Sequence, residues 1–153
     1  MIKGDLRMKI IEKKTNLFSV DKKYSLVHCI SLDCAMGAGI ALTFRETFPQ
    51  MKDILLNTIA ENTIRYPFTI LYQDSNNKVF NLITKEKYWH KPTYQTITTC
   101  IEQLKKVCVK FNLKYIAMPK IGCGLDKLQW DEVRKILENT FSNTDIEILV
   151  CYL

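Results

Sequence analysis

The chain has 153 residues, 47% hydrophobic and 25% charged, with 22 basic against 16 acidic side chains and a formal charge of +6. That length suits one domain, residues 1–153, able to bury a two- or three-layer core, and the balance of apolar to charged residues excludes a disordered chain. No uncharged run approaches the ~18 residues of a membrane span, no repeat is visible, and Lys3, Asp5, Arg7 and Lys9 interrupt any apolar leader.

Basic residues are scattered, with a loose cluster at Lys9, Lys13, Lys14, Lys22 and Lys23, so a solvated lysine surface is a simpler reading than a nucleic-acid groove. The cysteines at 29, 34, 100, 108, 123 and 151 fall mostly in apolar segments. Reduced, buried thiols in a cytoplasmic protein, the nucleus not excluded, fit that pattern better than a disulfide framework.

Residues 1–6 read as a short strand and 8–11 as a further extended piece before the polar stretch Glu12 to Asn16. Ser25 to Ile30 is nearly all apolar, as in a strand covered on both faces. A loop over 31–39 leads to a helix over 40–48, which Pro49 breaks. A helix over 50–60 turns Met51, Ile54, Leu55 and Ile59 inward. Phe68–Gln73 and Lys78–Thr84 form a hairpin around Asp74-Ser75-Asn76-Asn77. Thr93 caps a long helix with Ile97, Ile101, Leu104, Cys108 and Phe111 at helical spacing. A strand over 114–118, a helix over 130–141 and a strand over 146–152 complete a mixed sheet with helices on both faces.

Two glycine loops follow strands: Met36-Gly37-Ala38-Gly39-Ile40-Ala41, opening a helix, and Met118-Pro119-Lys120-Ile121-Gly122-Cys123-Gly124-Leu125-Asp126. Closely spaced glycines let a backbone curl around phosphates with its N–H groups pointing inward. Two such loops in one domain point to a diphosphate-bearing ligand clamped between them. Asp126 closes the second loop, where a carboxylate can bind a hydroxyl or move a proton. Gly4-Asp5-Leu6 and Leu82-Ile83-Thr84-Lys85 share the same placement at strand exits. Each segment alone has an ordinary reading as a turn, cap or solvated tip; their common edge of the sheet is what joins them.

Together with His28-Cys29-Ile30-Ser31, Asp33-Cys34, His90-Lys91-Pro92-Thr93-Tyr94 and Leu128-Gln129-Trp130, these segments resemble the macro domain, in its terminal ADP-ribose protein glycohydrolase branch. The resemblance runs over nearly the whole chain. It implies a three-layer α/β/α fold around a central mixed sheet, and ADP-ribose or an ADP-ribosylated protein as partner, with ADP-ribosylated nucleic acid a further candidate. It implies no metal or other cofactor, no membrane partner, and a monomer. By the same resemblance Asp5 accepts from the adenine amino group and Leu6 lies against the ring. Gly37, Gly39 and Ile40 hold the diphosphate, and Pro119, Ile121, Gly122, Cys123, Gly124 and Leu125 clamp it from the other side. Ser31 adds a polar contact, and Tyr152 or Leu153 packs on the adenine. Lys85 and Asp126 match the catalytic pair: the lysine attacks C1″ of the terminal ribose, and the aspartate shuttles protons and helps water resolve the lysyl adduct.

A nucleophilic amine must be neutral, against an ordinary lysine value of ~10.4. A carboxylate alone favours the ammonium, so Asp126 is expected close to the ribose rather than as a tight partner of Lys85. The branch carrying paired asparagines and a glycine triplet in the first loop is not matched here. Relative to the family, Arg7 to Tyr24 reads as a longer, basic surface excursion near the adenine end. His28, Cys29 and Cys34 are soft ligands, but no Cys-x-x-Cys pair accompanies them, and a core histidine is the simpler reading. Cys123 has no evident orienting histidine. Lys87-Tyr88-Trp89-His90-Lys91, directly after Lys85, reads as a packed loop able to border the ribose or stack on a base. Release of ADP-ribose from Glu or Asp esters on proteins is the expected activity, with O-acyl-ADP-ribose and ADP-ribosylated nucleic-acid bases as further substrates; a reader that binds ADP-ribose unchanged and a phosphatase acting on ADP-ribose-1″-phosphate are the rivals.

Overall fold

Ser25–Ser31 offers almost no polar side chain to solvent, so it can be stable only with cover on both faces. The computed structural model, which describes residues 7–153, puts this strand in the middle of a six-stranded sheet. The expected strand over residues 1–6, with Asp5 and Leu6, lies outside the described residues. The strands are β1 (Lys9–Lys14), β2 (Ser25–Ser31), β3 (Phe68–Gln73), β4 (Lys78–Lys85), β5 (Tyr115–Met118) and β6 (Glu147–Tyr152), in the order β1-β6-β5-β2-β4-β3. Only the β3–β4 hairpin is antiparallel; the other pairs are parallel. The hairpin turn closes on Asp74, whose Oδ1 accepts from the N–H groups of Asn76 and Asn77 at 3.0 and 2.9 Å.

Helices α1 (Gly39–Thr47) and α2 (Met51–Asn62) cover one face, where Phe44, Met51 and Leu55 pack on Ile30, Val79 and Ile83. Helices α3 (Tyr94–Lys110) and α4 (Trp130–Phe141) cover the other, burying Ile97, Ile101, Leu104, Val133, Leu137 and Phe141 against Val27, Phe80 and Leu82. Each such side chain contributes ~1.5–3 kcal/mol by leaving water. Thr93 starts α3 through a reciprocal cap: its hydroxyl accepts from the Thr96 N–H, and the Thr96 hydroxyl accepts from the Thr93 N–H, both at 3.0 Å.

Three expectations need correction. Ile54 and Phe111 are exposed, because their helices present a narrower stripe to the sheet than the apolar sequence offers. The extended piece at 8–11 is a six-residue edge strand, paired with β6 from Lys9↔Glu147 to Lys14↔Tyr152. The basic segment after Arg7 is therefore sheet, followed by a short 3₁₀ turn (Leu17–Ser19) that buries Leu17, rather than a surface excursion. Lysines suit such an edge, since their charge discourages pairing with another chain.

The topology also opens a crevice. Pairing of β2 with the short β5 stops at Leu26↔Ala117. The chain then leaves β2 for α1 on one face and β5 for α4 on the other. Adjacent parallel strands diverging to opposite faces make a ligand-sized gap at their carboxyl ends.

Candidate active site

A cavity of about 1050 Å³ occupies that gap. Its floor is Cys29, Ile30 and Ser31 at the end of β2, with Lys85 at the end of the neighbouring β4. Residues 35–41 form one wall and 119–127 the opposite one; Tyr88 and Lys91 stand beside Lys85, and Cys151 and Tyr152 lie at the end of β6. The lining thus includes Ser31, Gly37, Gly39, Ile40, Pro119, Ile121, Gly122, Cys123, Gly124, Leu125 and Tyr152 of the expected ligand set, together with Lys85 and Asp126. Leu153 is 91% exposed and does not line the cavity.

The glycines divide by purpose. Gly39 (φ +59°) and Gly122 (φ +74°) hold left-handed backbone that other residues adopt at a cost. A Cβ on Gly122 would lie 3.0 Å from Ile97 Cδ1 and 3.1 Å from Leu128 Cδ1, so a side chain there would press on the core. At Gly124 nothing lies within 4 Å of a Cβ, and at Gly37 only the Ala35 carbonyl is near, at 4.0 Å. Packing explains neither. Both border empty space that a ligand can fill. Helix α1 starts from Ala38 with no side-chain cap, leaving the N–H groups of its first turn for an anion.

Lys85 Nζ lies 2.5 Å from Asp126 Oδ1, with the two side chains only 13% and 15% exposed. This corrects the expectation that the aspartate would stand apart from the lysine. The pair forms because β4 and the loop after β5 end at the same edge, and two charges so shielded from water hold each other. In this geometry the amine donates to the carboxylate.

The connection from Glu86 to Tyr94 ties the two walls together. Asp33 accepts from Ser31 Oγ and from the N–H groups of Ala35 and Tyr88, the latter two at 3.2 Å. Burial opposes the Asp33 charge, but these donors outweigh it and hold its carboxyl below the usual range. Ser31 therefore commits its hydroxyl proton to Asp33 and has only lone pairs left for a ligand. On the other side Lys91 Nζ donates to the Leu125 carbonyl at 2.7 Å, and Tyr94 Oη accepts from the Gln129 N–H at 3.0 Å. Lys91, Lys120 and Lys127 line the cavity but were not singled out as ligand contacts from sequence; Lys91 and Lys120 lay within flagged segments, whereas Lys127 carried no signal that separates it from other surface lysines.

Other nucleophiles are muted. Burial pushes the Cys123 thiol up to about 11, partly offset by Lys120, and its Sγ points to the Ile121 carbonyl at 3.2 Å. His28 lies on the α1 face, stacked on Phe44 at 3.8 Å with Nε2 2.6 Å from Asn81 Oδ1. Burial lowers it to about 4 against the opposing Asn81 contact. Among the described residues no group of three His, Cys, Asp or Glu side chains is arranged to hold a metal ion.

Residues 27–137 match the sequence model of the family described as Macro domain. The chain is 41% identical over 137 residues to the ADP-ribose glycohydrolase OARD1 of Bos taurus, a match covering 90% of this chain and 87% of that protein. It is 27% identical over 132 residues to a DNA ADP-ribosyl glycohydrolase of Mycobacterium tuberculosis, covering 82% of this chain and 37% of that protein. Among solved structures it resembles the macrodomain of Thermus aquaticus DarG in fold, with a TM-score of 0.84 at 20% identity over 95% of this chain and 99% of that one. Extent of match and architecture agree, and the chain belongs to the macro domain family.

Proposed function

We propose that the cavity binds ADP-ribose and that Lys85 and Asp126 release it from modified macromolecules through a covalent lysyl intermediate. Proteins about 40% identical across nine-tenths of the chain are ADP-ribose glycohydrolases, so this macro domain is a de-ADP-ribosylating hydrolase. The observation that carries the finer reading is the 2.5 Å contact between a shielded amine and carboxylate on the cavity wall.

Two glycine-bearing loops facing one cavity and an uncapped helix start suit the diphosphate. In the first step Asp126 takes the ammonium proton, Lys85 Nζ forms a bond to C1″, and the C1″–O bond breaks with its electron pair leaving on the displaced group. In the second, water replaces the amine at C1″, its proton passing through Asp126. The sum is ester plus water giving acid plus ADP-ribose. Asp126 is the one carboxyl lining the cavity among the described residues, and the first step uses it as a base. A group that departs readily as an anion is then favoured, and the ester-linked carboxylate of a Glu or Asp side chain is the simplest.

Release of ADP-ribose from an ester-modified peptide tests this, alongside Lys85→Ala and Asp126→Ala. Wild-type turnover with loss in both variants is expected. Borohydride added during turnover should leave ADP-ribose on Lys85 by mass spectrometry, and an adduct that persists in Lys85→Ala removes the nucleophile. Tight binding of ADP-ribose without release by wild type would make the protein a reader.

A further inference from the structure

One end of the cavity carries charge for which ADP-ribose has no partner. With the reacting ribose at Lys85 and the diphosphate between the glycine loops, the adenosine extends the other way, along the strand ends towards β6. The sheet order puts the end of β6 three strand spacings from that of β4, ~14 Å away. Tyr152 stands there, 41% exposed and lining the cavity, and Lys120 Nζ lies 5.3 Å from its ring centroid. Register adds a second cation. Lys14 is the β1 partner of Tyr152, so the two side chains leave the sheet on the same face.

Neither lysine is neutralised by a neighbouring acid. Glu12, two residues earlier on the same face of β1, accepts from Arg134 and from the Trp130 Nε1–H, the latter at 3.0 Å. Lys120 does less to hold that carboxyl low than Trp130 or Arg134 does. Among the described residues neither Lys14 nor Lys120 forms a salt bridge, and the one acid lining the cavity, Asp126, is taken by Lys85. A nucleoside is uncharged. Two open ammonium groups beside it suit an anion that plain ADP-ribose lacks at that end, and the ribose hydroxyls are where adenosine can carry one. Dinucleotides place such a phosphate on the 2′-hydroxyl, and a cationic side chain nearby is how protein sites accommodate it.

Resting on the proposed binding of ADP-ribose, we infer that Lys120 and Lys14 form a subsite for a phosphate on the 2′-hydroxyl of the adenosine ribose, so that the cavity takes ADP-ribose 2′-phosphate in preference to ADP-ribose.

Isothermal titration with these two nucleotides decides it, the readout being the ratio of their affinities within each protein. Wild type should bind the 2′-phosphate form roughly 3- to 10-fold more tightly, the range of one or two exposed charge pairs, and the ratio should shrink in high salt. Lys120→Gln should lose most of this preference, and Lys14→Gln added to it should bring the ratio to about one. Lys120→Arg should keep the preference. A ratio of one or below in wild type overturns the inference. So does a Lys120→Gln protein with the wild-type ratio, since a loss shared equally by both nucleotides assigns the lysine to the diphosphate. Wild type that binds neither nucleotide overturns the ADP-ribose site itself, and this subsite with it.

Discussion

Two glycines, two residues apart, should fail in opposite ways. Gly122→Ala puts a side chain on backbone at φ +74°, which costs ~1–2 kcal/mol. Its Cβ also presses on Ile97 and Leu128, both ends of flexible side chains that can shift. At roughly 2–4 °C per kcal/mol for a protein of this size, the melting temperature should fall by ~2–8 °C. Gly124→Glu meets no protein atom and needs no special backbone, so the fold should keep its melting temperature within ~1–2 °C. Its carboxylate would enter the space assigned to the diphosphate. One negative charge ~5 Å from another costs about 3 kcal/mol at an effective dielectric near 20, enough to weaken ADP-ribose binding more than 100-fold. Thermal melts and isothermal titration with ADP-ribose on the same samples measure both effects. A Gly124→Glu protein that binds like wild type would refute the placement of the diphosphate. A Gly122→Ala protein as stable as wild type would refute the division of the glycines into one for the core and one for the ligand.

Acid should destabilise the fold through His28. Its folded value of about 4 lies below the ordinary 6.5, so its contribution is complete above pH 6.5 and is lost as pH falls towards 4, by about 3 kcal/mol; His28→Phe should flatten that part of a stability-versus-pH curve, whatever it does to absolute stability. Lys91→Met keeps the length of the side chain but removes the donor to the Leu125 carbonyl, a charged hydrogen bond of ~1.5–3 kcal/mol. Because that carbonyl adjoins Asp126, kcat should fall by roughly 10- to 100-fold, with rescue by Lys91→Arg. Asp33→Ala strips three donors of their acceptor and should lower stability by ~1–3 kcal/mol in chemical denaturation.

Much of this was legible in the residues because period and burial coincide. β2, β4 and β6 are apolar runs and became central strands. β1 was legible only as an extended piece at 8–11, because the rest of KIIEKK carries its polarity on an exposed edge, where partner β6 supplies the order and the side chains do not. Phe111 and Ile54 kept helical spacing yet face water, since spacing fixes a direction on the helix and not whether a neighbour waits there. The glycine loops were readable as loops, but not which glycine serves the core. That distinction needs the positions of Ile97 and Leu128 around Gly122. Lys91, Asp33 and Tyr94 act through long-range hydrogen bonds with partners 34, 55 and 35 residues away in two walls of the cavity. No local pattern marks such partners.

On the proposed reading, the lysine–aspartate contact sets the path of the proton at the cavity wall. Both groups are shielded from water, and a proton can pass directly between heavy atoms 2.5 Å apart with no water as carrier. Burying charge in a filled, dry cavity is costly, so a ligand that excludes water assists that transfer. On the proposed reading, a ribose that seals the cavity over Lys85 both excludes solvent and offers C1″ to the freed lone pair. The same carboxyl then holds the proton that the second step must manage.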